Sequence, residues 1–337
     1  MKFTNVQSRR SFIQSSLLAG IGVGLLDPLS FHKAGVAGKR VGIIGLDTSH
    51  SVAFTKALNS PDALLDFDGY RVEAAYRYGS RQIESSSSRI PGYTEEVKKY
   101  GVAIVDSIAD LLARVDVVLL ETNDGRLHLE QALAVLKSGK RVFIDKPVAA
   151  SLTDVIKIYE ASATYGIPIF SCSSLRYIKG IEGLDKSKVL GADTFSPAKL
   201  EETHPDLFWY GIHGVETLYT VMGTGCESVT RVQTADTELV VGVWKDGRIG
   251  TFRGTRTGKH DYGGTVFTQD GNTVLGPYNG YNMLLVDIIK YFKTGQVPVT
   301  PEETTEIFAF MEAADESKRQ GGKSVTLASV MDKAKNS

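Results

Sequence analysis

At 337 residues the chain exceeds one typical domain and suits two. Its 42% hydrophobic and 23% charged residues describe a globular protein, and a formal charge of -1 argues against nucleic acid or an anionic membrane as partner. Two cysteines, Cys172 and Cys226, are too few for a disulfide framework and lack a metal-type spacing, so both read as buried thiols.

Residues 1–37 read as a targeting segment. Ser8-Arg9-Arg10-Ser11-Phe12 resembles a twin-arginine export signal, the apolar run from Leu17 to Leu26 is short for a membrane span, and Gly35-Val36-Ala37 offers small residues for a signal peptidase. The expectation is an exported, periplasmic protein without a stable membrane span after signal removal. A signal left uncleaved would anchor it to the membrane. Twin-arginine export carries folded proteins, which suits a chain that acquires its cofactor before it leaves the cytoplasm.

Lys39 to Gly45 reads as a first strand, and Leu46-Asp47-Thr48-Ser49-His50 leads into an amphipathic helix carrying Val52, Phe54 and Leu58. A dinucleotide fold keeps its G-x-G-x-x-G loop at this strand-to-helix turn. Only the first glycine, Gly45, stands here; Asp47 and His50 replace the second and third. Gly45, Asp47, Thr48, Ser49 and His50 are the candidate phosphate-loop residues, and helix capping by Asp47, Thr48 or Ser49 is the competing role. A second strand, Tyr70 to Tyr76, ends at Arg77 rather than at the acid that holds ribose hydroxyls in NAD binders. Arg77 would suit the 2′-phosphate of NADP, or be a solvated loop arginine.

Further strand-helix units follow: Val102–Val105 with Ile108–Ala113, Asp116–Glu121 with Leu127–Ser138, and a strand through Val142-Phe143-Ile144 that ends in Asp145-Lys146-Pro147. Ligands bind beyond the carboxyl ends of such strands, so Thr122, Asn123, Asp145, Lys146 and Pro147 are candidates for cofactor contact. Lys146 points from a strand end whose following proline restricts it to extended conformations. His128 reads as a helix-packing residue.

After helix Ser151–Tyr165 and a strand at Ile167–Phe170, the pattern from Val189 onward becomes strands separated by turns. Leu239–Trp244, Arg248–Thr255, Gly264–Thr268 and Asn272–Leu275 are such runs, with hairpin signals at Asp246-Gly247 and Asp270-Gly271. Helices are expected near Gly211–Met222, Asn282–Thr294 and Glu302–Gln320. On the first of these, His213 and Glu216 are three apart and share a face, an arrangement suited to general acid and base work. His204, His213 and Glu216 have no recognised metal spacing, and no metal site is expected. Arg176, with Arg253 and Arg256, would serve an acidic substrate or lie on a solvated face.

Together these pieces resemble the Gfo/Idh/MocA oxidoreductases, over nearly the whole chain after residue 37: Thr122-Asn123 followed by His128, then Gly139-Lys140-Arg141-Val142-Phe143-Ile144-Asp145-Lys146-Pro147, and Gly211-Ile212-His213. Asp145-Lys146-Pro147 is similar to the family's Glu-Lys-Pro signature with a shorter acid. The resemblance implies an α/β protein with a Rossmann domain over residues 38–148. Residues 149–337 would form an α+β substrate and oligomerisation domain with an open, mostly antiparallel sheet, whose C-terminal helix packs back on the first domain. It implies that Lys146 lies at nicotinamide and substrate and that His213 acts on the substrate hydroxyl proton. Two departures stand out: the replaced glycine loop, and Trp209 where many members carry aspartate. Trp209 and Tyr210 then become candidate sugar-stacking residues, and Glu216 a candidate replacement for the lost acid.

The resulting expectation is an NAD- or NADP-dependent oxidoreductase acting on a sugar, cyclitol or glycoside, with tightly held nucleotide, as a homo-oligomer without nucleic-acid partners. Lys146, His213 and Glu216 would be catalytic. The alternatives are a redox-neutral glycoside lyase or hydrolase using NAD, and a carbohydrate-binding protein that has lost the dinucleotide.

Overall fold

The computed structural model describes residues 38–337; the expected signal segment lies outside them. Six strands, β1 (Arg40–Ile44), β2 (Arg71–Tyr76), β3 (Ala103–Val105), β4 (Val117–Leu120), β5 (Arg141–Ile144) and β6 (Ile169–Phe170), form a parallel sheet in the order β3-β2-β1-β4-β5-β6. That is the doubly wound order expected of a dinucleotide domain. Its central strands are apolar along their whole length because helices cover both faces: all four residues of β4 are buried, as are Val142, Phe143 and Ile144 of β5.

Alternate residues feed two cores. Ile43, Leu119 and Phe143 face one that includes Phe54 and Leu58 of helix Ser49–Asn59, whereas Ile44, Leu120 and Ile144 face the other, with Val135 and Val155. The first core is completed from far along the chain, by Leu285, Ile288, Ile289 and Phe292 of helix Asn282–Thr294. Tyr291 of that helix donates its hydroxyl to the carbonyl oxygens of Val142 (3.1 Å) and Pro168 (2.6 Å).

Two details of the expected division change accordingly. The parallel sheet runs past residue 148, since β6 pairs with β5, and the helix that returns to the first sheet is Asn282–Thr294. The terminal helix Leu327–Lys335 instead meets helices Leu152–Tyr165 and Pro301–Arg319, with Thr153 Oγ1 donating to the Ala334 carbonyl at 3.3 Å.

The second sheet has seven strands in the order β12-β11-β7-β10-β9-β8-β13: β7 (Val189–Pro197), β8 (Cys226–Gln233), β9 (Thr237–Trp244), β10 (Ile249–Thr255), β11 (Gly263–Thr268), β12 (Gly271–Leu275) and β13 (Val325–Thr326). All neighbours are antiparallel except β7 and β10. One face holds helix Ile212–Met222, every residue of which is buried. Gly214 allows this approach, since a Cβ there would meet the Phe252 ring at 2.3 Å. The other face leaves Leu190, Phe195, Val243, Ile249 and Val274 exposed. Cys172 and Cys226 are buried free thiols. No helix among the described residues is long and apolar enough to cross a membrane.

Candidate active site

The carboxyl ends of β1, β4, β5 and β6 open into a cleft of about 340 Å³, roofed by residues 199–213 and by a tyrosine-rich return from the second sheet. Thr48, Ser49, His50, Asn123, Lys146, Trp209, Tyr210 and His213, all expected site residues, line it. The walls also carry Ser85, Arg89, Lys199, Glu201, Tyr262, Tyr278 and Tyr281.

At the first turn, Gly45 takes φ +92° and a Cβ there would lie 2.6 Å from Thr122, so only glycine fits where β1 passes β4. Asp47 is fully buried and turned away from the cleft. Its two carboxylate oxygens accept from the backbone nitrogens of Ser80 (2.7 Å) and Asn123 (3.0 Å). Asp47 therefore ties the loops after β2 and β4 to the loop after β1, in place of a direct phosphate contact. Thr48 is the helix N-cap, accepting from the His50 nitrogen at 3.4 Å, which leaves Ser49 and His50 at the helix start facing the cleft.

Asn123 donates its side-chain amide to Ser86 Oγ at 2.7 Å, and the Thr122 hydroxyl is buried without a partner. Arg77 lies outside the cleft lining, stacked over the Tyr78 ring at 4.8 Å. His128 does more than pack its helix: Nε2 lies 2.6 Å from the Thr122 carbonyl and Nδ1 3.2 Å from that of Val148, so one ring strapped between two strand-end loops fixes their spacing.

Lys146 is largely buried and precedes a cis Pro147, which is itself buried outside the cleft lining. Its Nζ lies 3.6 Å from Asp145 Oδ2, and His50 Nδ1 approaches the same oxygen to 2.9 Å. Burial alone would push the Asp145 carboxyl up, but the approach of His50 and of the Lys146 ammonium holds it well below the usual carboxylate range.

Across the cleft, a π turn at Leu207–Gly211 feeds directly into helix Ile212–Met222 and presents Trp209, Tyr210 and His213. His213 Nδ1 bonds Ser173 Oγ at 2.7 Å, leaving Nε2 as the free ring nitrogen, and Tyr210 and Tyr262 meet the ring edge-on. Burial, then the charges of Lys146 and His50, lower its pKa well below the ordinary histidine value, so the imidazole is neutral near pH 7.

Two further expected site residues fall outside the cleft. Glu216 turns to Arg176, whose Nε donates to Glu216 Oε1 at 2.8 Å and whose guanidinium also pairs with Glu303. Neither Glu216 nor Arg176 lines the cleft. The i,i+3 spacing put Glu216 within reach of His213, but a buried guanidinium is the stronger claimant on a buried carboxylate. Arg256 is likewise paired, with Glu238 at 2.6 Å, and Arg253 is exposed.

The sequence singles out neither Ser173 nor Tyr262, Tyr278 and Tyr281, and it offers His204 only as a metal ligand. Ser173 follows the end of β6, so the strand-end rule that singled out Lys146 also pointed there. His204 Nε2 accepts from the Gly125 nitrogen at 3.2 Å and its ring lies 5.0 Å from Trp209, clamping the loop after β4 to the cleft roof. His204, His213 and Glu216 thus serve three separate partners.

The residues present fit the nicotinamide half of a dinucleotide. The helix start is open to the cleft, Asp47 is removed from it, and Asn123 and Lys146 line the cleft beyond the ends of β4 and β5, where they would hold a ribose and a nicotinamide.

Comparison with known proteins agrees with this geometry. Residues 39–171 match the Gfo/Idh/MocA family model, described as an oxidoreductase family with an NAD-binding Rossmann fold. Inositol 2-dehydrogenase 3 of Saccharopolyspora erythraea is 37% identical over 67 residues, 20% of either chain. The inositol 2-dehydrogenase of Gluconacetobacter diazotrophicus is 39% identical over 64 residues, 19% of either chain. The aligned segment thus spans about a fifth of those relatives. Among solved structures, a probable dehydrogenase from Thermotoga maritima has a TM-score of 0.68 at 20% identity, covering 86% of this chain and 99% of that one. The myo-inositol dehydrogenase of Lactobacillus casei in complex with NAD(H) and myo-inositol has a TM-score of 0.67 at 16% identity, covering 85% and 96%. These likenesses establish the two-domain fold.

Proposed function

We propose, for a chain whose Rossmann domain is that of the Gfo/Idh/MocA oxidoreductases, that it is an NAD(P)-dependent oxidoreductase acting on a hydroxyl of a sugar, cyclitol or glycoside. The observation that carries this reading is the meeting of Lys146 and a neutral His213 in one cleft, beside the start of the first helix. When bound, the nucleotide supplies the hydride acceptor or donor. His213 Nε2 takes the proton of the substrate hydroxyl, with Ser173 fixing the ring through Nδ1. Lys146 donates a hydrogen bond to the same oxygen and stabilises the negative charge that develops there. Trp209, Tyr210, Tyr262 and Tyr278 offer ring faces and hydroxyls suited to a polyol. Burial pushes the Tyr262 phenol up to about 12, so it enters as a neutral hydrogen-bond donor.

Export by the twin-arginine route, with nucleotide retained, belongs to the same proposal; it would require a second substrate or a redox-neutral cycle, since a periplasmic enzyme has no soluble nicotinamide pool to draw on. The exposed apolar residues on the outer face of the second sheet support self-association.

The test is to denature the purified protein and assay the supernatant for nucleotide, then to follow hydride transfer with inositols and glycosides. Near-stoichiometric NAD or NADP, together with a loss of about 10³-fold in kcat for Lys146→Ala, is expected. Protein that neither carries nor binds either nucleotide, or a Lys146→Ala variant of unchanged rate, would overturn the reading.

A further inference from the structure

Beneath the cleft lies a group of side chains that the reaction above does not use. His50 comes from the start of the first helix, Glu121 from the end of β4 and Asp145 from the end of β5. All three are buried, with relative exposures of 8%, 0% and 1%. One ligand atom from each lies within 4.8 Å of the other two. We propose that His50, Glu121 and Asp145 bind one divalent first-row transition-metal ion of the Zn²⁺ or Mn²⁺ kind.

The first argument is the state of the polar atoms. Both oxygens of Glu121, both oxygens of Asp145 and Nδ1 of His50 are buried without a properly directed hydrogen bond, although His50 Nδ1 is only 2.9 Å from Asp145 Oδ2. Buried carboxylates without donors are costly, and a native fold normally satisfies them. Among the described residues, Lys146 supplies the ammonium paired with the group, at 3.6 Å from Asp145 Oδ2. A divalent ion gives the Glu121 carboxylate the partner it lacks and shares the Asp145 carboxylate.

The second argument is geometric. Metal–ligand bonds of about 2.0–2.2 Å place neighbouring ligand atoms roughly 3 Å apart, and the 2.9 Å separation of His50 Nδ1 and Asp145 Oδ2 already has that spacing. One imidazole with two carboxylates suits Zn²⁺, Mn²⁺ or Fe²⁺ and leaves coordination positions open. His50 also lines the cleft, which gives the ion an entry path.

The third argument is the positions themselves. His50 stands where the glycine loop would have its third glycine, and Asp145 where the signature acid is one methylene longer. His50 Nδ1 lies 2.9 Å from Asp145 Oδ2, so the two departures meet in one contact. The carboxylate of Asp47, which marks the other lost glycine, is already fully engaged by the Ser80 and Asn123 nitrogens and is not a ligand.

The proposal is independent of the redox reading, because metal and nucleotide contents are measured separately. The test strips the purified protein with a chelator, then titrates it with Zn²⁺ and with Mn²⁺ by calorimetry, and with Co²⁺ by visible absorption. One equivalent per chain, a raised Tm and Co²⁺ bands typical of nitrogen and oxygen ligands are expected. Glu121→Gln and His50→Gln should each weaken binding tenfold or more, and His50→Gln should alter the Co²⁺ bands. Folded wild-type protein that binds none of the three ions would overturn the proposal, as would full-affinity binding in folded Glu121→Gln and His50→Gln variants. Should one variant fail to fold, the wild-type titration and the remaining variant still decide.

Discussion

Two buried charge clusters lie beyond the ends of the parallel strands, one after β6 and one after β4 and β5, and they are built on opposite terms. Around Arg176, one guanidinium meets two carboxylates: Glu216 receives a directed bond from Nε at 2.8 Å, and Glu303 pairs with the other end. Around Asp145, His50 and Lys146 approach one carboxylate oxygen at 2.9 and 3.6 Å, and among the described residues neither oxygen of Glu121 has a hydrogen-bond partner. The first cluster is complete within the protein and joins the strand-end loop to helices Ile212–Met222 and Pro301–Arg319. The second is complete only with something added. Burial by itself therefore does not separate scaffold from site; the partner count does.

Removing one member of the complete cluster tests the contrast most severely. Glu216→Ala leaves a buried guanidinium half-compensated, and stability should fall by about 3 kcal/mol, the low end for a broken buried pair because Glu303 remains. Urea unfolding measures it. Turnover per folded molecule should hold, since Glu216 is bonded to Arg176 and does not line the cleft. A large loss of kcat at unchanged stability would restore Glu216 as a catalytic acid and erase the distinction between the clusters.

How far the sequence foretold these arrangements depends on the range of the signal. The parallel sheet followed from short apolar runs, each closed by a turn, and Lys146 from its position at the end of one. Those signals are local, as is the hairpin at Asp246-Gly247 that joins β9 to β10. Glu216 was misread because helical spacing shows which side chains share a face but not which competitor, here Arg176, arrives from another loop. Helix Asn282–Thr294 was recognisable as a helix, but nothing in its pattern reveals that its apolar side covers a sheet formed some 150 residues earlier. The cleft tyrosines and the Asp47 clamp were hidden for the same reason: each depends on loops brought together by the finished fold.

A milder probe uses pH. His204 is fully buried against Gly125 and Trp209, and burial lowers its pKa to about 4, with Asp124 opposing that shift and Arg126 adding to it. Its unfolded value is about 6.5, so between 6.5 and 4 the unfolded chain holds the extra proton. Stability is accordingly full above about pH 6.5 and declines as pH falls towards 4, by roughly 1–3 kcal/mol from this residue. Chemical denaturation at intervals from pH 7.5 to 4 measures the slope, and His204→Gln should flatten it. An unchanged slope in that variant would move the acid sensitivity to His128 or His213, whose values burial also lowers.

The smallest expected change comes from the incomplete cluster. In chelator-treated protein, Glu121→Gln replaces a buried, unpartnered acid by an amide of the same shape, so stability should shift by no more than about 1 kcal/mol. The same substitution with Zn²⁺ present should remove the Tm rise that the wild type gains. A cost near that of Glu216→Ala without metal would mean that Glu121 already has a structural partner, and the two clusters would then be of one kind. A near-zero cost without metal and a clear cost with it would separate a group that completes the fold from a group that waits for an ion.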